Sequence, residues 1–334
     1  MHHASTRAVV AALAVAVAGA LPDCACLEEQ SIVTADGRTR TFRVHAPAGH
    51  ESGALPIVLV LHGGGGNAEQ TESSLSFDDL ADANGFLAVY PEGTGRRVLG
   101  KRFSTWNSDE ECCGDALKSG VDDVAFVDRL IDELGARFDG DVDHVFVTGL
   151  SNGGDMTHRL GCELSGRIDA IAPVGAPRVV ATCDPVQPVA TMIVHGTDDP
   201  CALYDGGDDC GGCFSRAMAD LGLGGDDADA GDHFSCMAAP DVAADWRERN
   251  GCADAPSSIT FENGDAACET WTDGCAGDEV TLCTIGGGGH SWPGTTRACD
   301  PGSKVCQAVA DATGPVSDDL DGPAEVWRFF DAHR

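Results

Sequence analysis

Val145-Phe-Val-Thr-Gly-Leu-Ser-Asn-Gly-Gly154 is the stretch on which the reading of this chain turns. Val145 to Thr148 is a continuous apolar and β-branched run, the pattern of a parallel strand covered on both faces. It passes directly into Gly149-x-Ser151-x-Gly153. After the serine, Met156 and Leu160 stand four apart on one side of an expected helix, with Asp155 and Arg159 on the other. With 43 glycines in 334 residues, the bare pentapeptide would arise by chance in about one such chain in four, so the flanking strand and helix carry the weight. Strand, sharp turn and helix in that order form a nucleophile elbow. Gly149 and Gly153 remove Cβ atoms that would clash in the turn, leaving the Ser151 hydroxyl exposed beside a helix N-terminus. The plain alternative is a glycine-rich turn with an incidental serine.

Working outward, the chain alternates strands with helices, the mark of a parallel sheet. Arg38 to His45 and the fully apolar Pro56 to Leu61 read as strands, the second ending in His62-Gly-Gly-Gly-Gly-Asn67. A glycine run just after a strand lets backbone N–H groups face a ligand, as a second oxyanion-hole donor must. Leu75 to Asn84 suits a helix ending at Gly85, and Phe86 to Tyr90 a strand. Val121 to Leu134 is an amphipathic helix with Val124, Val127, Leu130, Ile131 and Leu134 on one stripe. Asp122 and Asp123 fall in its first turn, where the helix dipole favours carboxylates, and that role is preferred to a catalytic one. Ile168 to Val174 and Val189 to Val194 are further strands, the second running into His195-Gly-Thr-Asp-Asp199. An acid just past a strand, some way after the nucleophile, suits the order Ser, Asp, His. Ala239 to Asn250 is helical. Val280 to Ile285 is the last expected strand, followed by a glycine run ending at His290, and Ala324 to His333 is a closing helix that starts at Pro323.

Composition bounds the setting. Arg7 followed by the apolar run Ala8 to Ala20, with Ala18-Gly-Ala20 as a cleavage site, reads as a signal peptide over residues 1–20 and implies an exported, extracellular or periplasmic product. Residues 21–334 are expected to form a single α/β catalytic domain with no later membrane-spanning segment, carrying an insertion rich in Gly, Asp and Cys at about 208–236. Sixteen cysteines in an exported chain point to disulfides. The neighbours Cys112 and Cys113 are too close, at about 3.8 Å between Cα atoms, to be natural partners of each other. Cys210 and Cys213, with Cys201, Cys236 and His233, offer a zinc site as the alternative. Asp226, Asp227, Asp229 and Asp232 could hold calcium, but no D-x-D-x-D-G loop occurs there and a solvated loop is preferred. A net charge of −33, from 54 acidic against 21 basic residues, argues against nucleic acid and anionic membrane surfaces as partners. The same surface suits a salty medium, where screening relieves self-repulsion.

Together, His62-Gly63, Trp106, Val121-Asp-Asp123, Gly149-Leu-Ser-Asn-Gly153, His195-Gly-Thr-Asp-Asp199 and Gly288-Gly-His-Ser-Trp-Pro-Gly294 resemble the secreted polyhydroxybutyrate depolymerase and feruloyl esterase family of α/β-hydrolases, over about residues 38 to 333. The resemblance implies an α/β-hydrolase fold with Ser151 as nucleophile, Asp199 as acid and His290 as base, and the pairs Cys162–Cys183 and Cys252–Cys275. The insertion at 208–236 and the extra cysteines depart from the family pattern, which puts an inherited substrate preference in doubt. Asp198 is the rival acid, and His195 is expected to pack or to orient the acid loop.

These residue types match one chemistry. A serine hydroxyl needs an imidazole to take its proton and return one to the leaving alcohol, and a buried carboxylate to hold the imidazole in the right tautomer. The Asn152 N–H and a glycine N–H in 63–65, Gly64 by preference, would receive the oxyanion. No metal or organic cofactor is required. The substrate is expected to be an ester of a polysaccharide or polyester. Trp106 and Trp292 are candidate flat partners for an aromatic acyl group, and the chain stopping at Arg334 with no polymer-adsorbing module favours a feruloyl ester of xylan. The alternatives are a polyhydroxyalkanoate depolymerase, an acetylxylan esterase, and a catalytically silent protein that binds polymer.

Overall fold

The computed structural model describes residues 29–48, 53–98, 101–108, 114–177, 182–222, 233–276, 278–296 and 302–334. The expected signal peptide, the Cys112-Cys113 pair and the acidic residues 226–232 lie outside them. The first half runs β1 (Gln30–Val33), β2 (Thr39–His45), β3 (Leu55–Leu61), α1 (Ala68–Ser74), α2 (Phe77–Asn84), β4 (Leu87–Pro91), β5 (Thr94–Val98), β6 (Lys101–Thr105), α3 (Gly114–Lys118) and α4 (Asp123–Phe138). Then come β7 (Gly140–Leu150), α5 (Asn152–Glu163), β8 (Ala170–Val174), β9 (Ala190–Gly196), β10 (Gly207–Gly211), α6 (Cys213–Asp220) and β11 (His233–Cys236). The chain closes with α7 (Ala239–Asn250), β12 (Ser258–Asn263), β13 (Ala266–Trp271), β14 (Val280–Ile285), α8 (Lys304–Thr313) and α9 (Gly322–Asp331).

Ten strands form one sheet in the order β1-β2-β4-β3-β7-β8-β9-β14-β13-β12. From β4 to β14 every neighbouring pair is parallel, while β1, β2, β12 and β13 add antiparallel edges. The reason is in the side chains. Each central strand is apolar on both faces, and successive residues feed two different cores. Ile57, Leu59, Leu61, Val145 and Val147 pack on one side with Val127, Leu130, Ile131, Leu134, Leu160 and Trp246 of α4, α5 and α7. Val58, Val60, Phe146, Met192 and Val194 pack on the other with Phe77, Val326, Phe329 and Phe330 of α2 and α9. A mostly parallel sheet with helices on both faces is what the alternation of strands and helices led us to expect, and it is the α/β-hydrolase arrangement that the resemblance implies.

The differences have physical causes. The helix expected over Leu75 to Asn84 is α2, which starts at Phe77 and stops at Gly85 in the left-handed region, and an unexpected helix, α1, precedes it and is closed at Leu75. Asp155 does not lie on a solvent face, since the first turns of α5 are buried beneath the surrounding loops. Asp122 caps α4 by accepting from the Ala125 N–H at 2.9 Å, while Asp123 is fully buried and pairs with Arg40 at 2.6 Å, which lies over the Phe126 ring. Among the described residues the disulfides are Cys162–Cys183, Cys201–Cys213, Cys210–Cys236, Cys252–Cys275 and Cys268–Cys283, with Cys306 also bonded. The zinc alternative is thereby corrected, because all four of its candidate sulfurs are paired and none is a thiolate. The described part of the insertion packs Ala217 and Leu221 of α6 against Ala308 and Ala312 of α8.

Candidate active site

Ser151 joins β7 to α5 with φ 58° and ψ −126°. Apart from Asp139 it is the only non-glycine with positive φ among the described residues. Such a backbone costs about 1–3 kcal/mol and persists only where the surroundings enforce it. Here they do. The Ser151 N–H donates to the Val174 carbonyl at 2.9 Å, and its carbonyl accepts from the Asp155 N–H at 2.8 Å. A Cβ on Gly149 would lie 2.7 Å from Gly153 backbone, and one on Gly153 would lie 2.4 Å from the His62 carbonyl oxygen. The turn therefore closes only with glycine at both places, and it presses the end of β3 against the start of α5.

Asp199 follows β9 and is 3 % exposed. Its Oδ1 accepts the Cys201 and Ala202 N–H groups, each at 2.8 Å, and its Oδ2 lies 2.7 Å from His290 Nδ1. Burial pushes this carboxyl upward, but the His290 imidazole and the hydrogen bonds around it outweigh that and hold it below the usual carboxylate value. Asp199 is thus ionised and acceptor-only, so His290 donates from Nδ1 and keeps Nε2 as a proton acceptor. His290 sits in the loop after β14, where its N–H donates to the Thr313 carbonyl at 2.7 Å and the Gly289 N–H to Pro315 at 2.8 Å. Gly175, after β8, passes so close that a Cβ on it would lie 3.3 Å from both Asp199 Oδ2 and His290 Nδ1. Because the Ser151 N–H is bonded to Val174, that same loop ties the serine turn to the acid and the imidazole.

Asp198 is exposed and makes no contact with His290, whereas Asp199 is buried against it. His195 Nε2 donates to the Ala202 carbonyl at 2.7 Å and lies 3.6 Å from Asp199 Oδ2, so it braces the acid loop from behind. Burial pushes its imidazole below the ordinary histidine value. Asp199, Cys201 and His290 could gather ligand atoms within 4.8 Å, but Cys201 is bonded to Cys213 and offers no thiolate to a metal.

The glycine loop after β3 runs alongside the serine turn. A Cβ on Gly63 would lie 3.7 Å from Ser151 Cβ, and one on Gly64 would lie 3.5 Å from Asn152 Cβ. The Gly65 N–H is taken by the Ser104 carbonyl and the Gly66 N–H by Gly63, so those of Gly63 and Gly64 are the loop donors with no backbone partner among the described residues.

The two tryptophans do not serve as expected. Trp106 has no exposed surface and Trp292 has 5 %, so neither offers a flat face to an acyl group. Trp292 meets Phe77 edge-on, and Trp106 bonds to His62 and Asn152. Sequence reasoning also missed the hairpin of β5 and β6, which bridges onto the glycine loop through Gly66 and Ser104. Its second strand, with the apolar Phe103 between polar neighbours, was the only trace of it.

Residues 41–219 match the family described as esterase PHB depolymerase. A protein of Nocardia uniformis subsp. tsuyamanensis named "Putative esterase NocK" is 32 % identical over 279 residues, 79 % of this chain and 74 % of that protein. Feruloyl esterase B of Piromyces equi is 29 % identical over 243 residues, 71 % of this chain but 40 % of that one. Among solved structures, the acetyl xylan esterase from Aspergillus awamori superposes with a TM-score of 0.51 at 14 % identity, covering 78 % of this chain and 93 % of its own, a likeness of fold. The family match covers more than half of the sequence and the strained serine turn falls inside it, so the chain belongs to the esterase PHB depolymerase family of carboxylic-ester hydrolases.

Proposed function

We propose that the protein is a secreted serine esterase with Ser151 as nucleophile, His290 as general base and acid, and Asp199 as the carboxylate that orients it. The observation that carries this reading is the 2.7 Å bond from His290 Nδ1 to a buried, ionised Asp199 on loops that meet the turn of Ser151. In acylation, Ser151 Oγ bonds to the ester carbonyl carbon while its proton passes to His290 Nε2. The oxyanion accepts from the N–H groups of Asn152 and Gly64, where losing one such donor costs about 3 to 4 kcal/mol of transition-state stabilisation. Collapse breaks the bond to the alcohol oxygen, which takes the proton from His290. Water then repeats the sequence on the acyl-serine, releasing the acid and restoring Ser151. Asp199 stays ionised throughout and stabilises the imidazolium.

For substrate, the reading is an ester on a plant cell-wall polysaccharide, with a feruloyl ester first. The support is the length of the match to a protein named as a feruloyl esterase. Burial of both tryptophans favours a second reading, a small acyl group such as acetate on xylan, because no aromatic platform flanks the serine from those positions. Export is supported by the disulfides, which need an oxidising compartment. A panel of methyl ferulate, feruloylated arabinoxylan, acetylated xylan, p-nitrophenyl acetate and polyhydroxybutyrate film tests the substrate. Ferulate release is the expected result. Clearing of film without release of ferulate or acetate would replace this reading with depolymerisation.

A further inference from the structure

Trp106 bonds to both segments that carry the proposed oxyanion donors. Its backbone N–H donates to Asn152 Oδ1 at 2.7 Å, and its carbonyl accepts from Asn152 Nδ2 at 3.0 Å. From the same residue, the indole Nε1–H donates to the His62 carbonyl at 2.9 Å. The ring is fully buried and lies against the His62 imidazole with centroids 4.9 Å apart. The backbone bonds hold the residue after Ser151, while the indole bond holds the residue before the glycine loop.

Peptide planarity turns these bonds into donor directions. In a trans peptide the N–H points opposite to the carbonyl of the preceding residue, so a carbonyl held in place fixes the next N–H. Trp106 Nε1 holds the His62 carbonyl and thereby the Gly63 N–H. The Gly93 N–H donates to His62 Nε2 at 2.9 Å, so the imidazole carries its proton on Nδ1 and donates it to the Gly63 carbonyl at 2.8 Å. The Gly66 N–H reaches that same carbonyl at 3.0 Å. The Gly63 carbonyl in turn fixes the Gly64 N–H. The four-glycine loop has little stiffness of its own. Gly65 and Gly66 are tied to Ser104 by backbone bonds, while the start of the loop, with the Gly63 carbonyl, is held by His62, and His62 is anchored by the indole of Trp106.

We infer that Trp106 is a positioning residue for the oxyanion hole, setting the distance and direction of the Gly64 N–H relative to the Asn152 N–H. This rests on the serine-esterase reading above and gives the tryptophan a role other than contact with an acyl group. A preorganised pair of donors lowers the barrier of the chemical step and leaves ground-state binding almost untouched.

The test removes the indole N–H. Trp106→Phe removes it together with part of the ring, and β-(3-benzothienyl)alanine at position 106 keeps the bicyclic shape with sulfur in place of the N–H. Both leave the backbone bonds to Asn152 in place, and the second decides the matter should the first fail to fold. For an oxoester, kcat is expected to fall about 10- to 100-fold with KM within about threefold, since donors are displaced and not deleted. The specific readout is the rate ratio of an oxoester to its thionoester, in which the carbonyl oxygen is sulfur. An oxyanion hole sets that ratio, and it should drop toward one in both variants by a factor close to the loss in kcat. Wild-type kcat and ratio in the benzothienylalanine protein would overturn the inference, as would a fall in kcat with an unchanged ratio, which marks a purely structural indole. A wild-type protein that hydrolyses no ester would overturn the esterase reading itself, and that result is seen before any variant is assayed.

Discussion

Asp199 Oδ2 stands 2.7 Å from His290 Nδ1, while Oδ1 of the same carboxylate is fully engaged by the N–H groups of Cys201 and Ala202. One oxygen is anchored to the loop and the other is committed to the imidazole, so the acid has no freedom to orient His290 in any second way.

Substitutions at the three positions should therefore behave as a unit. Ser151→Ala and His290→Ala are each expected to lower kcat by about 10⁶-fold, and the double variant by no more than either alone. Asp199→Asn should cost about 10⁴-fold through the wrong tautomer. Asp198→Asn, at an exposed position, should leave turnover unchanged. His195→Ala loosens the acid loop and should cost about 10- to 100-fold, well short of His290→Ala. Steady-state kinetics on p-nitrophenyl acetate checks all six variants, and near-normal activity in His290→Ala would remove it as the base.

The Cys201–Cys213 disulfide begins two residues after the acid, and Cys201 itself supplies one of the N–H groups on Asp199. Replacing both cysteines with serine should lower unfolding free energy by about 3 kcal/mol for a loop of this size and also lower kcat, because the acid loop loses its tether. Removing Cys252–Cys275, which ties the end of α7 to the loop after β13, should cost comparable stability and leave kcat unchanged. Urea titration with kinetics on the same samples tests this. Equal kcat losses in both double variants would contradict the proposed link to Asp199.

Much of the site could be read from residue order because its chemistry demands local signals. The run of β-branched residues before Gly149 and the glycines at 149 and 153 follow from constraints within a few residues, whereas Ser151, Asp199 and His290 are far apart in sequence and were matched by their order and by the family resemblance. The burial of Trp106 and Trp292 could not be read, since burial of a large side chain is decided by what folds over it: here Asn152 and His62 in one case and Phe77 in the other. The edge pair β12 and β13 was missed for a similar reason. Ser258–Asn263 alternates only two apolar residues, Ile259 and Phe261, over a short and mostly exposed edge, too weak a pattern to mark a strand, and its pairing with Ala266–Trp271 is supported by backbone bonds and by the hydroxyl contact of Thr260 with Thr270. The zinc alternative failed because spacing brings cysteines together without saying whether sulfur meets metal or sulfur.

His62, His158 and His195 are buried, and burial holds each below the ordinary histidine value, His158 at about 3. His158 accepts the Trp246 indole N–H at 2.9 Å, which fixes it as neutral. In the unfolded chain these residues take up protons below about pH 6.5, whereas in the folded chain they do so only at lower pH, so stability falls as pH falls. His158 contributes a slope of about 1.4 kcal/mol per pH unit from about pH 6.5 down to about pH 3, and His62 and His195 add to it in the same direction. Urea unfolding between about pH 7 and 4.5, above the range in which Asp199 takes up its proton, should show the decline. His158→Asn, which retains an acceptor for Trp246, should flatten it by one proton. An unchanged slope in that variant would mean that His158 is charged in the folded protein.

The serine chemistry itself is tested most directly by labelling the purified wild-type protein with a fluorophosphonate and locating the adduct by peptide mass spectrometry. One adduct per chain, on Ser151, abolished in Ser151→Ala and greatly slowed in His290→Ala, is the expected result. No adduct on a folded wild-type protein, or an adduct on another residue that persists in Ser151→Ala, would contradict the assignment of Ser151 as the nucleophile.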